Sequence, residues 1–295
     1  MEYIDIHARM VMRTADDYAR MALSGCVAVM EPSGWPGWTR RTLAIFEDAF
    51  RRLTDFEPRR AAGHGIRHFA WLGVSPQEAE DRELVLALLA RLPGYLEQPT
   101  VLGVGGVGLE RITRNEVRTL RDHIDLAIDH EQLLMIHSPR LEDKYRGTRC
   151  IIDMLGSDDR VEPNCVLIDH AEEHTVGMIL GNGYWAGLTI EPRTGLSPER
   201  AADIIERFGP ERICVGSVCD GERGEPTAIP RFALEMRRRG HDLDLIRRVV
   251  YRNPATFARR SPHFDTTVPL PAGVAARVAA RAHSGAEPVV AGNVD

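Results

Sequence analysis

Short apolar runs recur along the chain, and the segments between them are long enough to hold a helix. The eight runs cover residues 3–6, 26–30, 66–72, 101–104, 133–136, 165–168, 185–190 and 212–215. Runs of this length without polar alternation are typical of strands that are buried on both faces. The pattern therefore predicts eight strands that alternate with helices, which is the arrangement of a parallel sheet.

Two of the intervening segments carry clear helix signals. In "VRTLRDHIDLAIDH" the apolar residues recur with a 3-4-4 spacing, which places them on one helical face. The segment "SPERAADIIERFG" opens on Ser197 as a cap, has Pro198 as its first helical residue and closes on Gly209. Both segments are predicted to be helices on the outside of the sheet.

Eight strand–helix units match the count of a closed (β/α)₈ TIM barrel, and we predict an α/β fold with one barrel domain over residues 1–260. An open doubly wound sheet is the alternative. Such sheets often carry a glycine-rich dinucleotide-binding fingerprint. That signal is weak in this chain, because "GVGGVG" follows the fourth run and no helix pattern starts inside it. Residues 261–295 are rich in Ala, Arg and Gly, and they are expected to form a flexible, partly disordered C-terminal extension.

Composition narrows the class of protein. The formal net charge of −6 does not favour a nucleic-acid binder, which usually carries a basic surface. The five cysteines include no C-x-x-C pair, which argues against a disulfide framework and for a reducing compartment. No apolar stretch approaches the roughly 20 residues of a membrane span, and no signal-peptide layout occurs. We therefore expect a cytoplasmic protein with no membrane partner.

Coordinating side chains follow four of the predicted strands. His7, His137, His170 and Asp220 come at or just after the ends of strands 1, 5, 6 and 8. In a closed barrel all strand ends meet around one mouth, so residues far apart in sequence can converge there. Neutral imidazole and carboxylate are ligands that zinc and similar divalent ions prefer. The pattern predicts one site for a divalent cation, zinc being the first choice.

The same segments resemble the TatD-like branch of the amidohydrolase superfamily. "YIDIHARM" looks like its opening D-x-H-x-H segment, "MIHSPR" and "VLIDHAEE" like its histidine segments, and "GSVCDG" with "YRNPATFA" like its closing part. "RTADDYARMALSGCVAVMEPSGW" and "GIRHF" are most similar to the TatD-like hydrolases of ebo-type bacterial gene clusters. The resemblance spans about residues 3–260. It implies a (β/α)₈ barrel hydrolase with one or two metals, whose ligands match His7, His137, His170 and Asp220.

Three positions depart from the family pattern. Arg9 stands where the family has its second histidine, Gly106 where it has a bridging glutamate, and Ser75 where it has a loop histidine. A bridging acid holds two cations about 3.5–4 Å apart, and glycine has no side chain to do so. Arginine stays protonated and repels a cation. The departures predict an incomplete binuclear site that binds a single metal ion.

Two functions remain open from the sequence. In the first, the chain is a metal-dependent hydrolase that acts on a small anionic metabolite of a biosynthetic pathway. Asp220 is then a ligand or the general base, His137 belongs to the catalytic group, and Arg9 contacts the anion. In the second, the barrel is metal-free and Arg9 neutralises Asp5 and Asp220. It then serves as a cyclase, isomerase or lyase, or as a non-catalytic binding protein. Nuclease activity is disfavoured by both the missing ligands and the net charge.

Further side chains are candidates for substrate contacts. Glu31 and Trp35 lie in "EPSGW" after the second strand, and Arg140 follows His137 closely. A carboxylate, an aromatic ring and a second guanidinium around the mouth would suit a small-molecule substrate that carries an anionic group. The substrate itself, the oligomeric state and the metal's identity are left open by the sequence.

Overall fold

The computed structural model describes residues 1–139, 143–191, 195–221 and 224–267, and these form a parallel eight-stranded sheet in the order β1 to β8. The strands are β1 (Tyr3–Asp5), β2 (Cys26–Pro32), β3 (Arg67–Leu72), β4 (Val101–Gly108), β5 (Leu133–His137), β6 (Val166–Asp169), β7 (Trp185–Thr189) and β8 (Ile213–Gly216). All eight predicted strands are confirmed. The fourth is longer than expected, because "GVGGVG" is part of β4 itself.

The sheet curls round so that its first and last strands meet. Ala8 and Val218 form a parallel bridge just beyond β1 and β8, and Ser217 N donates a hydrogen bond to His7 O at 3.2 Å. The predicted (β/α)₈ barrel is therefore confirmed, and the open-sheet alternative is excluded. Residues 261–267 run on past the barrel strands, whereas 268–295, most of the predicted C-terminal extension, lie outside the described residues.

Helices follow the strands and cover the outside of the barrel. They are α1 (Ala15–Leu23), α2 (Leu43–Arg51), α3 (Glu57–Ala62), α4 (Arg82–Leu89), α5 (Leu92–Leu96), α6 (Arg114–Asp129), α7 (Lys144–Gly156), α8 (Val176–Gly181), α9 (Pro198–Phe208), α10 (Ala228–Arg238), α11 (Leu243–Arg247) and α12 (Asn253–Ala258). Single π-helical turns, Arg52–Phe56 and Arg248–Arg252, join α2 to α3 and α11 to α12. Short 3₁₀ turns occupy Met10–Met12, Pro76–Glu78 and Pro163–Cys165.

The predicted helix signals are realised in the structure. At the start of α9 the Ser197 hydroxyl accepts a hydrogen bond from Arg200 N, and Pro198 is the first helical residue. Gly209 ends the helix with φ +79°, a conformation that costs glycine little. "VRTLRDHIDLAIDH" lies in α6, which Thr113 caps by accepting from Glu116 N. None of the helices in the described ranges combines the length and apolar character needed to cross a bilayer.

The core has two layers, because successive residues of each strand point inward and outward in turn. Met30, Phe69 and Met135 belong to the cluster inside the barrel, while their neighbours pack against the surrounding helices. Phe257 of α12 stacks on Trp71 at 6.0 Å and contacts Trp185 at 5.8 Å between ring centroids. Since Trp185 is the first residue of β7, α12 closes the end of the barrel where strands begin. The opposite end is left for the mouth.

A buried histidine supports one wall of that mouth. His123 of α6 is fully buried, and its Nδ1–H donates to Thr119 O at 2.7 Å while its Nε2 accepts from Val74 N at 3.2 Å. Val74 belongs to the loop after β3. The bond that Nε2 accepts requires the neutral ring, and burial lowers the pKa of His123 to about 4.

This pKa makes the stability of the fold sensitive to mild acid. Between pH 6.5 and 4 the unfolded chain protonates His123 while the folded chain does not, so stability falls as pH falls. We expect wild type to lose about 2 kcal/mol from this group between pH 7.5 and 5, and His123→Gln to lose none of it. Urea unfolding at both pH values measures the difference. The exposed His130→Gln should keep the wild-type pH slope, and an equal slope in His123→Gln would contradict the account.

Candidate metal centre

Three of the predicted ligands converge at the mouth. His7 follows β1, His137 is the last residue of β5, and His170 follows β6. Their ring centroids lie 4.9 Å apart for His7 and His137, 5.0 Å for His137 and His170, and 5.3 Å for His7 and His170. Residues more than 160 positions apart in sequence are therefore neighbours in space, because the barrel brings the ends of β1, β5 and β6 together.

A carboxylate holds the three imidazoles together. Asp169, the last residue of β6, accepts a hydrogen bond at Oδ2 from His7 Nδ1 at 2.6 Å and at Oδ1 from the Thr189 hydroxyl at 2.6 Å. Burial raises the pKa of Asp169, but attraction to His170, His7 and His137 and the hydrogen bond from His7 outweigh it and hold that pKa far below its usual range. Asp169 is therefore ionised at any physiological pH.

These four residues form a donor set that fits a divalent cation. One ligand atom from each of His7, His137, Asp169 and His170 lies within 4.8 Å of the other three. With its Nδ1–H directed at Asp169, His7 presents Nε2 as its ligating atom, an arrangement in which a carboxylate orients a metal-binding histidine. Asp169 is not among the ligands predicted from the sequence. Its position beside His170 in "IDH" was the available signal.

Two polar side chains fix the turn that carries His170. The His170 backbone has φ +60°, a left-handed conformation that is uncommon outside glycine. The Ser138 hydroxyl donates to Asp169 O at 2.9 Å, and Lys144 Nζ donates to His170 O at 2.9 Å and to Glu172 Oε1 at 2.6 Å. Lys144 was not identified from the sequence. These hydrogen bonds together hold the turn in its left-handed conformation, and the conformation of the turn sets the direction of the imidazole.

The three histidines lie at the base of a cavity of about 680 Å³. Arg9, Trp35, Lys144, Glu191 and Asp220 are among the residues of its walls. This volume falls within the range of small-molecule sites. The predicted residues Arg9, Trp35 and Asp220 thus share one cavity with the three histidines, whereas Arg140 lies outside the described residues.

Asp220 reaches the cavity from a strained turn after β8. Val218 and Cys219 have φ of +56° and +42°, and positive φ is a marked outlier for a β-branched residue such as Val218. Arg13 holds this turn by donating to Cys219 O at 3.0 Å and to Gly224 O. Asp220 Oδ1 accepts from Gly224 N at 3.3 Å. Asp220 is buried in the cavity wall, and the carboxylate grouped within 4.8 Å of the three imidazoles is that of Asp169.

Asp5 ties the ends of β1 and β8 together beneath the cavity. Its Oδ1 accepts from His7 N at 3.1 Å and from Ser217 N at 3.0 Å, and its Oδ2 accepts from the Ser217 hydroxyl. Burial raises the pKa of Asp5 to about 7, against the opposing effect of these hydrogen bonds. Asp5 therefore fixes the backbone that presents His7 and leads to Asp220.

Arg9 lies along the cavity wall at the position of the missing second histidine. Its Nη2 donates to Trp35 O, and a Cβ on Gly34 would lie 3.2 Å from the same nitrogen. The guanidinium therefore packs against the backbone of the loop after β2, with glycine making room for it. Arg9 and Trp35 both line the cavity.

Gly106 cannot be exchanged for a carboxylate without moving the backbone. It is the extra residue of a bulge in β4, because the register with β5 shifts between Gly105 and Val107. Its φ is +74°, and a Cβ there would meet Ser33 N, C and Oγ at 3.1 Å. The local backbone conformation therefore suits glycine. The difference from the family is more than the replacement of the bridging acid on an unchanged backbone.

Glu31 and Ser75, two other residues considered from the sequence, are buried and hydrogen-bonded. Glu31 is fully buried on the outer face of the barrel, where its Oε2 pairs with His68 Nε2 at 2.9 Å and its Oε1 accepts from Val11 N at 2.9 Å. It is not among the described residues that line the cavity, so it supports the loop after β1. Ser75 does line the cavity, and its hydroxyl donates to Glu78 Oε2 at 2.8 Å.

Comparisons with known proteins give a consistent result. No protein-family model matches the chain. An uncharacterized metal-dependent hydrolase of Methanocaldococcus jannaschii is 30% identical over 258 residues, covering 87% of this chain and 99% of that protein. The crystal structure of a TatD-like protein from Archaeoglobus fulgidus superposes with a TM-score of 0.71 at 26% identity, covering 87% of this chain and 100% of that one.

A more distant likeness concerns the fold alone. The phosphotriesterase homology protein of Escherichia coli, solved with phosphate in its active site, superposes with a TM-score of 0.61 at 13% identity. The superposition covers 87% of this chain and 98% of that chain.

The Gly106 geometry predicts a cost for any side chain at that position. We expect Gly106→Ala to destabilise the fold by about 1–3 kcal/mol, because it combines a left-handed backbone with a contact to the Ser33 backbone. Gly181→Ala in α8 is the matched control, since a Cβ there meets nothing within 4 Å. Urea unfolding compares the two variants. A Gly106→Ala protein as stable as Gly181→Ala would show that the bulge tolerates a side chain.

Proposed function

The chain belongs to the TatD-like branch of the amidohydrolase superfamily, and on that premise we propose that it is a hydrolase that works with a single divalent metal ion. The observation that carries the proposal is the convergence of His7, His137 and His170 on the Asp169 carboxylate at the base of a cavity. The name of the M. jannaschii relative, a metal-dependent hydrolase, supports the same activity.

The donor set favours zinc. Three imidazoles and one carboxylate, from Asp169 or Asp220, are ligands that suit this ion. Arg9 and Gly106 both argue for one ion rather than two, because the first brings a fixed positive charge and the second offers no bridging oxygen. A divalent metal held there would polarise the bond to be cleaved and make water a better nucleophile near neutral pH.

The protein's own residues supply orientation and proton transfer. Asp169 fixes the tautomer of His7 through the hydrogen bond to Nδ1, which leaves Nε2 unprotonated and able to ligate a metal. We assign Asp220 the role of general base, which accepts a proton from the attacking water as the water adds to the substrate. The strained Val218–Cys219 turn places this carboxylate in the cavity wall.

Substrate binding follows from the cavity walls. Arg9 offers a planar fork of N–H donors suited to a carboxylate or phosphate group. Trp35 lines the same cavity and offers an apolar ring. A cavity of about 680 Å³ with a guanidinium in its wall suits a small anionic metabolite.

The Arg9 charge also supports a second candidate function. A guanidinium at the mouth can stabilise nearby carboxylates in place of a cation, which suits a metal-free cyclase, isomerase or lyase, or a binding protein. The two candidates differ in one property that is simple to measure. A metal-free enzyme keeps its activity after treatment with chelators, whereas the proposed hydrolase loses it.

The proposed hydrolase should hold about one metal ion per chain. We expect elemental analysis of protein purified without a metal-affinity tag to give roughly one zinc, and His137→Ala and His170→Ala each to lose it because a ligand is removed. The exposed His130→Ala is the matched control and should retain the metal.

Circular dichroism would show whether the two ligand variants stay folded. Wild-type protein with no tightly bound metal, or ligand variants that retain it, would contradict the proposal. Two ions per chain would contradict the single-metal site.

A further inference from the structure

The chain contains a single lysine. Of its 37 basic residues 36 are arginine, and the one lysine is Lys144. Everywhere else a guanidinium provides the positive charge, on the surface and in buried ion pairs alike. An ammonium differs by being compact, with three N–H donors around one atom, whereas a guanidinium is a planar group with five. The composition indicates that position 144 needs the ammonium itself and not only its charge.

Helix stability does not explain this lysine. Lys144 is the first residue of α7, where a cation opposes the helix dipole. It is also buried, with only 6% of its surface exposed, and a buried charge is costly unless it is paired and hydrogen-bonded. Arg146 and Arg149 of the same helix are exposed and pair with acids three or four residues away. Lys144 is therefore held in place by tertiary contacts.

Those contacts all concern the turn that carries His170. Lys144 Nζ donates to His170 O at 2.9 Å and to Glu172 Oε1 at 2.6 Å, so it bridges both ends of the segment that follows β6. The carbonyl that Lys144 holds belongs to a residue with a left-handed backbone, since His170 has φ +60°. Holding that carbonyl fixes the peptide plane, and the peptide plane fixes where the imidazole points.

We propose that Lys144 is the positioning residue for His170: its buried ammonium locks the left-handed turn so that the imidazole joins His7 and His137. The inference rests on the proposed function in one respect, since it takes His170 to be a metal ligand. A compact donor suits a buried point between a carbonyl and a carboxylate, where a guanidinium would bring additional N–H groups that need acceptors.

The first test measures zinc affinity in variants of position 144. We expect Lys144→Met, of similar length without charge, and Lys144→Arg, with charge in a different shape, each to weaken zinc binding by about 10–100-fold, the usual effect of losing a residue that orients a ligand. Competition with a chromophoric chelator gives the dissociation constants. Arg149→Ala, which removes an exposed cation from the same helix, should bind zinc like wild type.

The outcomes separate this inference from the proposed function. If wild type binds zinc and both Lys144 variants bind it equally well, the positioning role is wrong while the metal site stands. If wild type binds no zinc, the proposed function fails. Thermal melting of the metal-free variants adds a second readout, because a purely structural role would lower the melting temperature and leave the zinc affinity of the folded fraction unchanged.

A measurement on wild type alone keeps the inference testable if the variants do not fold. Because the chain has one lysine, incorporation of lysine labelled with ¹⁵N and ¹³C gives a single side-chain signal that needs no assignment. We expect this signal to shift on addition of zinc and to stop shifting at one equivalent. A lysine signal that does not move while zinc binds would overturn the proposal.

Discussion

The hydrogen bond between His7 Nδ1 and the Asp169 carboxylate is the interaction on which the site depends. It joins the end of β1 to the end of β6, and it places a negative charge at the centre of three imidazoles. A carboxylate buried at this depth is costly unless hydrogen bonds and nearby positive charge compensate it. The Thr189 hydroxyl and the His7 ring provide hydrogen bonds to it. Because this hydrogen bond joins two strands that are distant in sequence, the site lies at the mouth of the closed barrel, where the ends of those strands meet.

Several residues around this centre have uncommon backbone conformations. His170, Val218 and Cys219 adopt positive φ without being glycine. The carbonyls of Cys219 and His170 each accept a hydrogen bond from a cationic side chain of another element. Strain of this kind persists only where the surroundings over-determine it, and it clusters at functional sites. The two cationic side chains are those of Arg13 and Lys144, and both donate hydrogen bonds to backbone carbonyls. They stabilise loop conformations that the strands alone would not impose.

Two of the departures from the TatD-like pattern, Gly106 and Arg9, are structurally different. Gly106 lies in a bulge whose φ and contact with Ser33 disfavour a side chain, so the local backbone suits glycine. Arg9 instead has a defined place, packed against Gly34 and bonded to the Trp35 carbonyl. One change removes a ligand for a second metal ion, and the other installs a cationic group in the cavity. Both changes are the basis of the proposed site for one metal ion and an anionic group.

The sequence predicted the strands and the convergence of His7, His137 and His170 because both follow from rules about buried parallel strands. Other features could not be found in this way. Asp169 looked like a neighbour of His170, since only the register of β6 with β5 and the approach of β1 show that it bonds His7. Glu31 ends a strand run as a mouth residue would, yet it faces outward to His68, because strand parity alone does not tell which face is the inner one.

Zinc K-edge X-ray absorption of the purified protein tests the central claim most directly. The account predicts one zinc environment with three imidazole nitrogens at about 2.0–2.1 Å, completed by oxygen, and no metal–metal scattering at about 3.5–4 Å. A second metal at that distance, or fewer than three imidazoles around the ion, would contradict a single-metal centre built on His7, His137 and His170.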